Sequence, residues 1–384
     1  MPPVIQNGMI TGETCMFLTA SNLAHYLLAR GLLSAAAVVD GDFMVAEVGR
    51  RNRNYKVILK NAPGLFVKQI KSIDAMAIST LQREAACYRL ARQNAAYGDL
   101  AAIMTRLVDH DANRHCLIVE LLSGGENLNE YYARTRSFPV EIGKMLGKSL
   151  GGCHLTLRGK PLQAEEMATF PRMPPWILSY HNSHMFSSGA LSGGTVKLAE
   201  IVRQYPDLHY NLDRLRQHWS YDSLIHGDMK WDNCIVHSAG DGSSKLKIID
   251  WELVDYGDAC WDIGGILQAY LTSWIFSMPL HNEIAPHRLI SQAGLQLETM
   301  HPAIKAFWRS YRETSGIPRQ YAPHTLIRAI EYGAARMVQT AFESLCFSPV
   351  MTNHGALLLQ VSLNILRNPQ EAATTLYGLG GETL

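Results

Sequence analysis

The segment 226–233 and the carboxylate of Asp250 have the residue types and the spacing that phosphoryl transfer requires. The segment reads HGDMKWDN, and Asp250 follows an apolar run a short way on. Asp228 can accept the proton of an attacking hydroxyl, and Asn233 and Asp250 offer the oxygen ligands that Mg²⁺ prefers. These residues predict transfer of the γ-phosphate of Mg-ATP to a hydroxyl group.

Two further residues of this segment have predicted roles in the same reaction. His226 is expected to brace the loop, and Lys230 can reach the transferring phosphate as a point charge. A His-x-Asp tripeptide alone is a weak signal, because it also occurs for structural reasons. The joint spacing of Asp228, Asn233 and Asp250 is much harder to obtain by chance and therefore favours catalysis.

Hydrophobic periodicity indicates which elements position these residues. Apolar or alternating runs predict antiparallel strands at 43–48, 55–59, 65–70 and 116–122. Helical spacing predicts helices at 21–33, 79–93, 140–155, 266–278 and 325–347. Strands therefore lead the chain and helices dominate the remainder, so we predict an N-lobe at residues 1–122 and a C-lobe at residues 123–384.

A kinase of this layout also needs a lysine that anchors the ATP phosphates and an acidic residue that holds this lysine. Lys68 lies in the predicted strand at 65–70, and Glu84 lies near the start of the following helix. We expect these two residues to pair. Lys60 and Lys71 are the competing choices for the lysine.

Other candidate nucleotide contacts lie at two places: the turn after the first predicted strand, and the segment just before the predicted lobe boundary at residue 123. The turn at 48–55 lacks the Gly-x-Gly-x-x-Gly pattern, so Arg53 and Asn54, after Gly49, are expected to contact phosphate through their side chains. An ordinary polar hairpin is the alternative. Adenine is expected against backbone groups from Glu120 to Leu122.

The composition excludes several other classes of protein. The 384 residues carry 35 Lys+Arg and 34 Asp+Glu, so no overall field attracts nucleic acid or an anionic membrane. The chain has no uninterrupted apolar run of about 18 residues, so no membrane helix is predicted. The seven cysteines contain no Cys-x-x-Cys pair, which predicts reduced, mostly buried thiols in a cytoplasmic protein.

The motifs at 226–233, 249–251, 261–264 and 152–155 resemble those of the aminoglycoside phosphotransferase and choline kinase group. This resemblance extends from about residue 43 to the late helices. It implies an α+β, two-lobed protein kinase-like fold, with an antiparallel β-sheet N-lobe and a mainly α-helical C-lobe. It also implies ATP and Mg²⁺ as cofactors, and it carries the catalytic roles to Asp228, Asn233 and Asp250.

The front of the chain is similar to a narrower group, the phosphotransferase-like proteins of class V lanthipeptide and thioamitide pathways. The likeness concerns residues 27–33, 38–42 and 50–55. It implies an acceptor Ser or Thr in a ribosomally made precursor peptide, and a partner lyase that eliminates the phosphate. A kinase of a small hydroxylated molecule, such as an aminoglycoside, an amino alcohol or a sugar, is the alternative. A second alternative is a pseudokinase or binding partner, which binds nucleotide or peptide without turnover.

Overall fold

The computed structural model describes residues 17–49, 52–93, 95–159, 169–182, 192–238, 243–279 and 286–380. These residues form two compact units. Unit 1 contains the described residues up to Leu81 together with Arg106–Ser123, and unit 2 contains Gln82–Thr105 and the residues from Gly124 onwards. Unit 2 thus includes residues 82–105, which the sequence assigns to the N-lobe, and the lobe boundary at 122/123 stays a prediction.

Unit 1 contains a five-stranded antiparallel sheet. From residue 17 onwards, where the described part of the chain begins, two short helices precede the sheet, α1 (Leu23–Ala29) and α2 (Ala35–Val39). The strands are β1 (Phe43–Val48), β2 (Arg53–Leu59), β3 (Leu65–Gln69), β4 (Leu107–Asp111) and β5 (Cys116–Glu120), in the order β1-β2-β3-β5-β4. Alternate residues of β2 and β3 share one hydrophobic core with α1, because successive side chains of a strand point to opposite faces.

Unit 2 is mainly helical. Helix α3 (Ala75–Gln93) begins in unit 1 and continues in unit 2. The further helices are α4 (Gly98–Ile103), α5 (Leu128–Thr135), α6 (Val140–Leu157), α7 (Gly193–Gln204), α8 (Pro206–Gln217), α9 (Ala259–Phe276), α10 (Pro286–Ser291), α11 (Leu297–Thr314), α12 (Ala322–Leu345), α13 (Asn353–Arg367) and α14 (Pro369–Thr375). In the described part of the chain, no helix combines the length and the apolarity needed to span a lipid bilayer.

Among the described residues of unit 2, five short strands lie between the helices. They are β6 (Glu126–Asn127), β7 (Ser223–Ile225), β8 (Cys234–Ser238), β9 (Ser244–Ile248) and β10 (Asp255–Gly257). β6, β8 and β9 form one antiparallel sheet, and β7 pairs with β10. The loops that follow β7 and β9 carry the predicted catalytic and metal-binding residues.

The backbones of helices α6 and α11 are in direct contact. Gly143, Gly147 and Gly151 repeat every four residues and therefore lie on one face of α6. A Cβ atom on Gly143 would lie 2.2 Å from the Ala303 carbonyl oxygen, and one on Gly147 would lie 2.2 Å from that of Phe307. The absence of side chains at these positions permits the contact, which fixes the position of α6 in unit 2.

Candidate active site

The segment 226–233, the predicted catalytic loop, lies between β7 and β8, and Asp250 follows β9. Because β8 and β9 are paired, the two segments are neighbours, and the amide of Ile249 donates a hydrogen bond to the carbonyl oxygen of Asn233 (2.9 Å). The spacing in the sequence thus becomes proximity in space. All of these residues belong to unit 2.

His226 joins the loop to the segment that carries Asp250. Its Nε2 lies 2.9 Å from the carbonyl oxygen of Ile249, and its Nδ1 accepts a hydrogen bond from the amide of Asp228 (3.1 Å). One ring nitrogen thus faces an acceptor and the other a donor, which specifies the tautomer protonated on Nε2. The ring is buried and packs against Trp251, with ring centroids 4.6 Å apart. These contacts hold the loop against the segment that carries Asp250, and the role of His226 in catalysis stays a prediction.

The Asp228 carboxylate contacts two cationic side chains and one amide. Lys230 Nζ donates to Asp228 Oδ2 at 2.6 Å, and Asn233 Nδ2 reaches the same oxygen at 3.3 Å. Arg336, on α12, donates from Nη2 to Asp228 Oδ1 at 3.3 Å. Each carboxylate oxygen therefore has a cation within contact distance, and the direction of the carboxylate is fixed.

Lys230 is held in its charged form by its surroundings. Burial by itself would lower the pKa of Lys230, but the charge and hydrogen bond of Asp228, with the charges of Glu343 and Asp250, raise it above its ordinary value. Lys230 is therefore protonated at neutral pH and can act as a point charge.

The predicted metal ligands meet the requirements of a hard cation. Asn233 uses its Nδ2 to donate to the carbonyl oxygen of Asp228 (2.9 Å), which leaves its side-chain oxygen for a metal ion. Asp250, Glu84 and Glu252 bring one carboxylate oxygen each to within 4.8 Å of one another. Carboxylate and amide oxygens are the ligands that Mg²⁺ prefers, so the residues present fit this ion.

Asp250 adopts a backbone conformation that is uncommon for residues other than glycine. Its φ is +65°, in the left-handed region, where Asp is tolerated better than most residues because its short polar side chain can bond locally. Such conformations persist where the surrounding structure fixes them, and they cluster at functional sites.

A second carboxylate, that of Asp262 near the start of α9, binds two backbone amides of the loop. It accepts hydrogen bonds from the amides of His226 (2.7 Å) and Gly227 (3.0 Å), and His154 Nε2 on α6 lies 3.3 Å from it. Burial opposes ionisation of this group, yet the hydrogen bond with His154 and the one from the backbone amide of His226 hold the pKa of Asp262 below its usual range. Asp262 is thus an ionised, fully buried acceptor for the catalytic loop.

The predicted nucleotide-binding residues lie in both units. Lys68 is buried on β3 and Glu84 is buried on α3, in units 1 and 2 respectively, and their pairing stays a prediction. The Glu120 amide donates to the carbonyl oxygen of Arg106 (2.9 Å), so adenine would have to use the Glu120 carbonyl or Leu122. The contact with adenine stays a prediction.

The turn between β1 and β2 is described only in part, since Arg50 and Arg51 lie outside the described residues. Gly49 has a φ of +121°, and a Cβ there would lie 2.7 Å from Asn54 Nδ2, so the turn requires glycine at this position. The guanidinium of Arg53 lies 5.0 Å from the centre of the Phe17 ring. The phosphate contacts expected of Gly49, Arg53 and Asn54 stay predictions.

Sequence reasoning missed three residues of this site. Glu252 follows Asp250 by two positions, and this Asp-x-Glu spacing was an available signal. Asp262 lies in a motif that was noted without a role. Arg336 offered no local signal, because its partners lie more than 100 residues earlier in the chain.

The fold and this loop define a phosphotransferase of the protein kinase-like class, and comparison with known proteins gives the family. Residues 42–299 match the phosphotransferase enzyme family (APH), and this chain belongs to that family. It is therefore an ATP-dependent phosphotransferase that acts on a hydroxyl group, which confirms the predicted class of enzyme. A sequence search of curated proteins finds no match.

Solved structures share the fold at low sequence identity. An ethanolamine kinase from Plasmodium vivax is 16% identical, with a TM-score of 0.56 over 90% of this chain and 87% of that one. A choline kinase from Cryptosporidium parvum is 14% identical, with a TM-score of 0.53 over 88% and 92%. Amicoumacin kinase hAmiN is 11% identical, with a TM-score of 0.52 over 90% and 96%. These likenesses confirm the predicted α+β protein kinase-like fold.

Proposed function

We propose that the chain transfers the γ-phosphate of ATP to Ser or Thr hydroxyls of a ribosomally made precursor peptide in the cytoplasm. The hydroxyl oxygen attacks the γ-phosphorus, the bond to the oxygen that bridges to the β-phosphate breaks, and ADP leaves. Asp228 accepts the hydroxyl proton, and Lys230 contacts the transferring phosphate. Asn233 and Asp250 would hold Mg²⁺, which neutralises phosphate charge when bound. A separate lyase would then eliminate the phosphate to leave a dehydroamino acid.

The nucleotide is held in this proposal by residues of the predicted N-lobe, which include Lys68 and Glu84. Lys68 contacts the ATP phosphates, and Glu84 fixes the direction of Lys68. The burial of both side chains supports these roles, because a buried charge requires a partner.

The observation that favours a peptide is the charge around Asp228. Lys230 and Arg336 both contact its carboxylate, so an acceptor that brings its hydroxyl to Asp228 approaches two cations. The carboxylates of Asp228, Glu343 and Asp250 offset this charge at Lys230, so the preference against a cationic acceptor, such as an aminoglycoside or an amino alcohol, rests on the two cations in direct contact with Asp228. A neutral Ser or Thr side chain meets no such repulsion.

The alternative is a kinase of a small hydroxylated molecule. The structures with the same fold include an ethanolamine kinase, a choline kinase and amicoumacin kinase, and the catalytic residues alone do not separate these acceptors from a peptide. A pseudokinase is the second alternative. The presence of Asp228, Asn233 and Asp250 argues against it.

The experiment compares acceptors under one set of conditions. The purified chain is incubated with Mg-ATP and one acceptor, which is a candidate precursor peptide containing Ser and Thr, choline, ethanolamine or kanamycin. Each product is analysed by mass spectrometry. We expect phosphate on Ser or Thr of the peptide with the wild type and none with Asp228→Asn. Phosphate on a small molecule and none on the peptide would establish the alternative. ATP binding without any product would favour the pseudokinase.

A further inference from the structure

Arg336 is a buried cation whose hydrogen bonds all go to the catalytic loop. The residue is 4% exposed, although arginine is rarely buried without a partner. Nη1 donates to the carbonyl oxygen of Gly227 (3.2 Å), and Nη2 donates to that of Met229 (3.0 Å). Nη2 also donates to Asp228 Oδ1 (3.3 Å). Arg336 thus contacts three successive loop residues, including the proposed base.

These three contacts act on both the backbone and the side chain of the loop. The two carbonyl bonds fix the Gly227–Asp228 and Met229–Lys230 peptide units, while the third bond fixes one carboxylate oxygen. The other oxygen receives Lys230 and Asn233. If Lys230 turned toward a phosphate group, Arg336 would still hold the direction of the carboxylate.

The position of Arg336 depends on close packing between α9 and α12. A Cβ on Gly264 would lie 2.5 Å from the Ala329 carbonyl oxygen, and one on Gly265 would lie 2.4 Å from the Met229 carbonyl oxygen and 3.2 Å from Arg336 Nε. Glycines at both positions permit α12 to approach the loop. The guanidinium also lies over the Trp261 ring of α9, 5.0 Å from its centre.

We propose that Arg336 is a positioning residue for phosphoryl transfer, which acts through Asp228 by holding the carboxylate and the Gly227–Asp228 and Met229–Lys230 peptide units in the reactive arrangement. Arg336 lies beyond residues 42–299, the part of the chain that matches the family. The inference rests on the proposed role of Asp228 as base, and it does not depend on which molecule is the acceptor.

The charged groups around Arg336 support a role specific to this loop. Asp228 is its carboxylate partner, Lys230 contacts the opposite oxygen of that carboxylate, and Asp262 holds the preceding amides from α9. A preorganised donor at a reacting group typically contributes two to three orders of magnitude to the rate, far more than its contribution to binding.

The test compares two variants at position 336 with a matched arginine on the same helix. Arg328 lies two turns earlier on α12, forms an ion pair with Asp258 and lies over the Tyr332 ring, but its contacts are away from the loop. ADP release from Mg-ATP is measured for wild type, Arg336→Gln, Arg336→Lys and Arg328→Gln. The acceptor is the candidate precursor peptide containing Ser and Thr, and ATP hydrolysis by water alone is measured in parallel.

We expect Arg336→Gln to lower kcat roughly 100-fold while the KM for ATP changes less than about twofold. Arg336→Lys keeps the charge and should recover roughly a tenth of the lost rate or more, because one donor can still reach Asp228. Arg328→Gln should lower the melting temperature with kcat nearly unchanged. In an Asp228→Asn background, Arg336→Gln should add less than about a threefold loss, since residues that act as a unit are not additive.

The opposite results would overturn the inference. They are a kcat of Arg336→Gln within about twofold of wild type, or equal losses of kcat in the Arg336→Gln and Arg328→Gln variants at equal stability. Failure of the proposed function gives a different pattern. An active Asp228→Asn variant would show that Asp228 is not the base. A wild type that leaves the peptide unmodified would show that the peptide is not the acceptor. In the second case, ATP hydrolysis by water still measures the effect of Arg336.

Discussion

Asp262 accepts a 2.7 Å hydrogen bond from the amide of His226, 36 residues earlier in the chain. This bond joins the start of α9 to the catalytic loop, and His154 on α6 approaches the same carboxylate. The catalytic loop is thereby attached to two helices through a single buried side chain.

The lowered pKa of Asp262 predicts a pH-dependent contribution to stability. A carboxyl group whose folded pKa is depressed stabilises the fold above its unfolded pKa, and this contribution is lost as the pH falls through the folded value. Asp262→Asn should therefore cost about 3 kcal/mol at neutral pH, with the difference from wild type shrinking below about pH 4. Thermal unfolding of both proteins between pH 3 and pH 7 measures this difference in stability. A difference that does not change with pH would contradict the expectation.

The role of Asp228 predicts a loss of rate without a loss of nucleotide binding. Asn cannot accept the hydroxyl proton, so Asp228→Asn should lower kcat roughly 1,000-fold. Calorimetric titration with Mg-ATP should give an affinity close to that of the wild type. An Asn variant with substantial activity would remove Asp228 from the role of base.

Two substitutions at Asp250 separate metal binding from backbone conformation. Asn tolerates the left-handed conformation but carries no charge, whereas Ala loses the ligand and adds a strain of roughly 1 kcal/mol. Both variants should need a higher Mg²⁺ concentration for half-maximal rate. Only Asp250→Ala should also have a measurably lower melting temperature. An unchanged Mg²⁺ dependence in Asp250→Asn would argue against Asp250 as a metal ligand.

A methyl group at Gly265 should disturb the catalytic loop. Its Cβ would lie 2.4 Å from the Met229 carbonyl oxygen, so Gly265→Ala should lower stability by about 1–3 kcal/mol and also lower kcat. Gly152→Ala on α6 is the control, since its nearest neighbour, Asp99 Cγ, is 3.5 Å away. This change should be neutral or stabilise the helix by about 0.5–1 kcal/mol. Equal effects of the two substitutions would exclude the specific clash.

The cysteines are expected to react slowly with thiol reagents. Burial raises the pKa of all six described thiols, to about 12 for Cys116, so few thiolates form at neutral pH. Five of them are buried, and Cys346 is partly exposed. Labelling of the native protein with iodoacetamide, followed by mass spectrometry, should therefore modify Cys346 before the other five. Rapid labelling of Cys234 would contradict this order. Cys15 lies outside the described residues.

The sequence predicted those parts of the site that are local along the chain. The bounds of β1 and the start of α6 agree with the predicted Phe43 and Val140, because strong periodicity and nearby turn residues mark them. Helix α3 begins at Ala75, four residues before the predicted start, since Asp74 accepts a hydrogen bond from the amide of Ala77 and caps the helix.

Other features could not be predicted because they depend on distant contacts. β4 (Leu107–Asp111) has a mixed polar sequence and forms only by pairing with β5. Arg336 reaches Asp228 because of how α12 packs on α9, which no local pattern shows. The same reason explains why the carboxylates of Glu84 and Asp250, far apart in the chain, were not predicted to be neighbours.

The glycine face of α6 has a consequence for local unfolding. Since the backbones of α6 and α11 touch without an intervening layer of side chains, neither helix can open without exposing the other. Amide hydrogens on these two helices should be among the slowest to exchange with deuterium in unit 2. Through His154 and Asp262, the catalytic loop is thus connected to a persistently folded pair of helices, and fluctuations of outlying segments can occur while it stays in place.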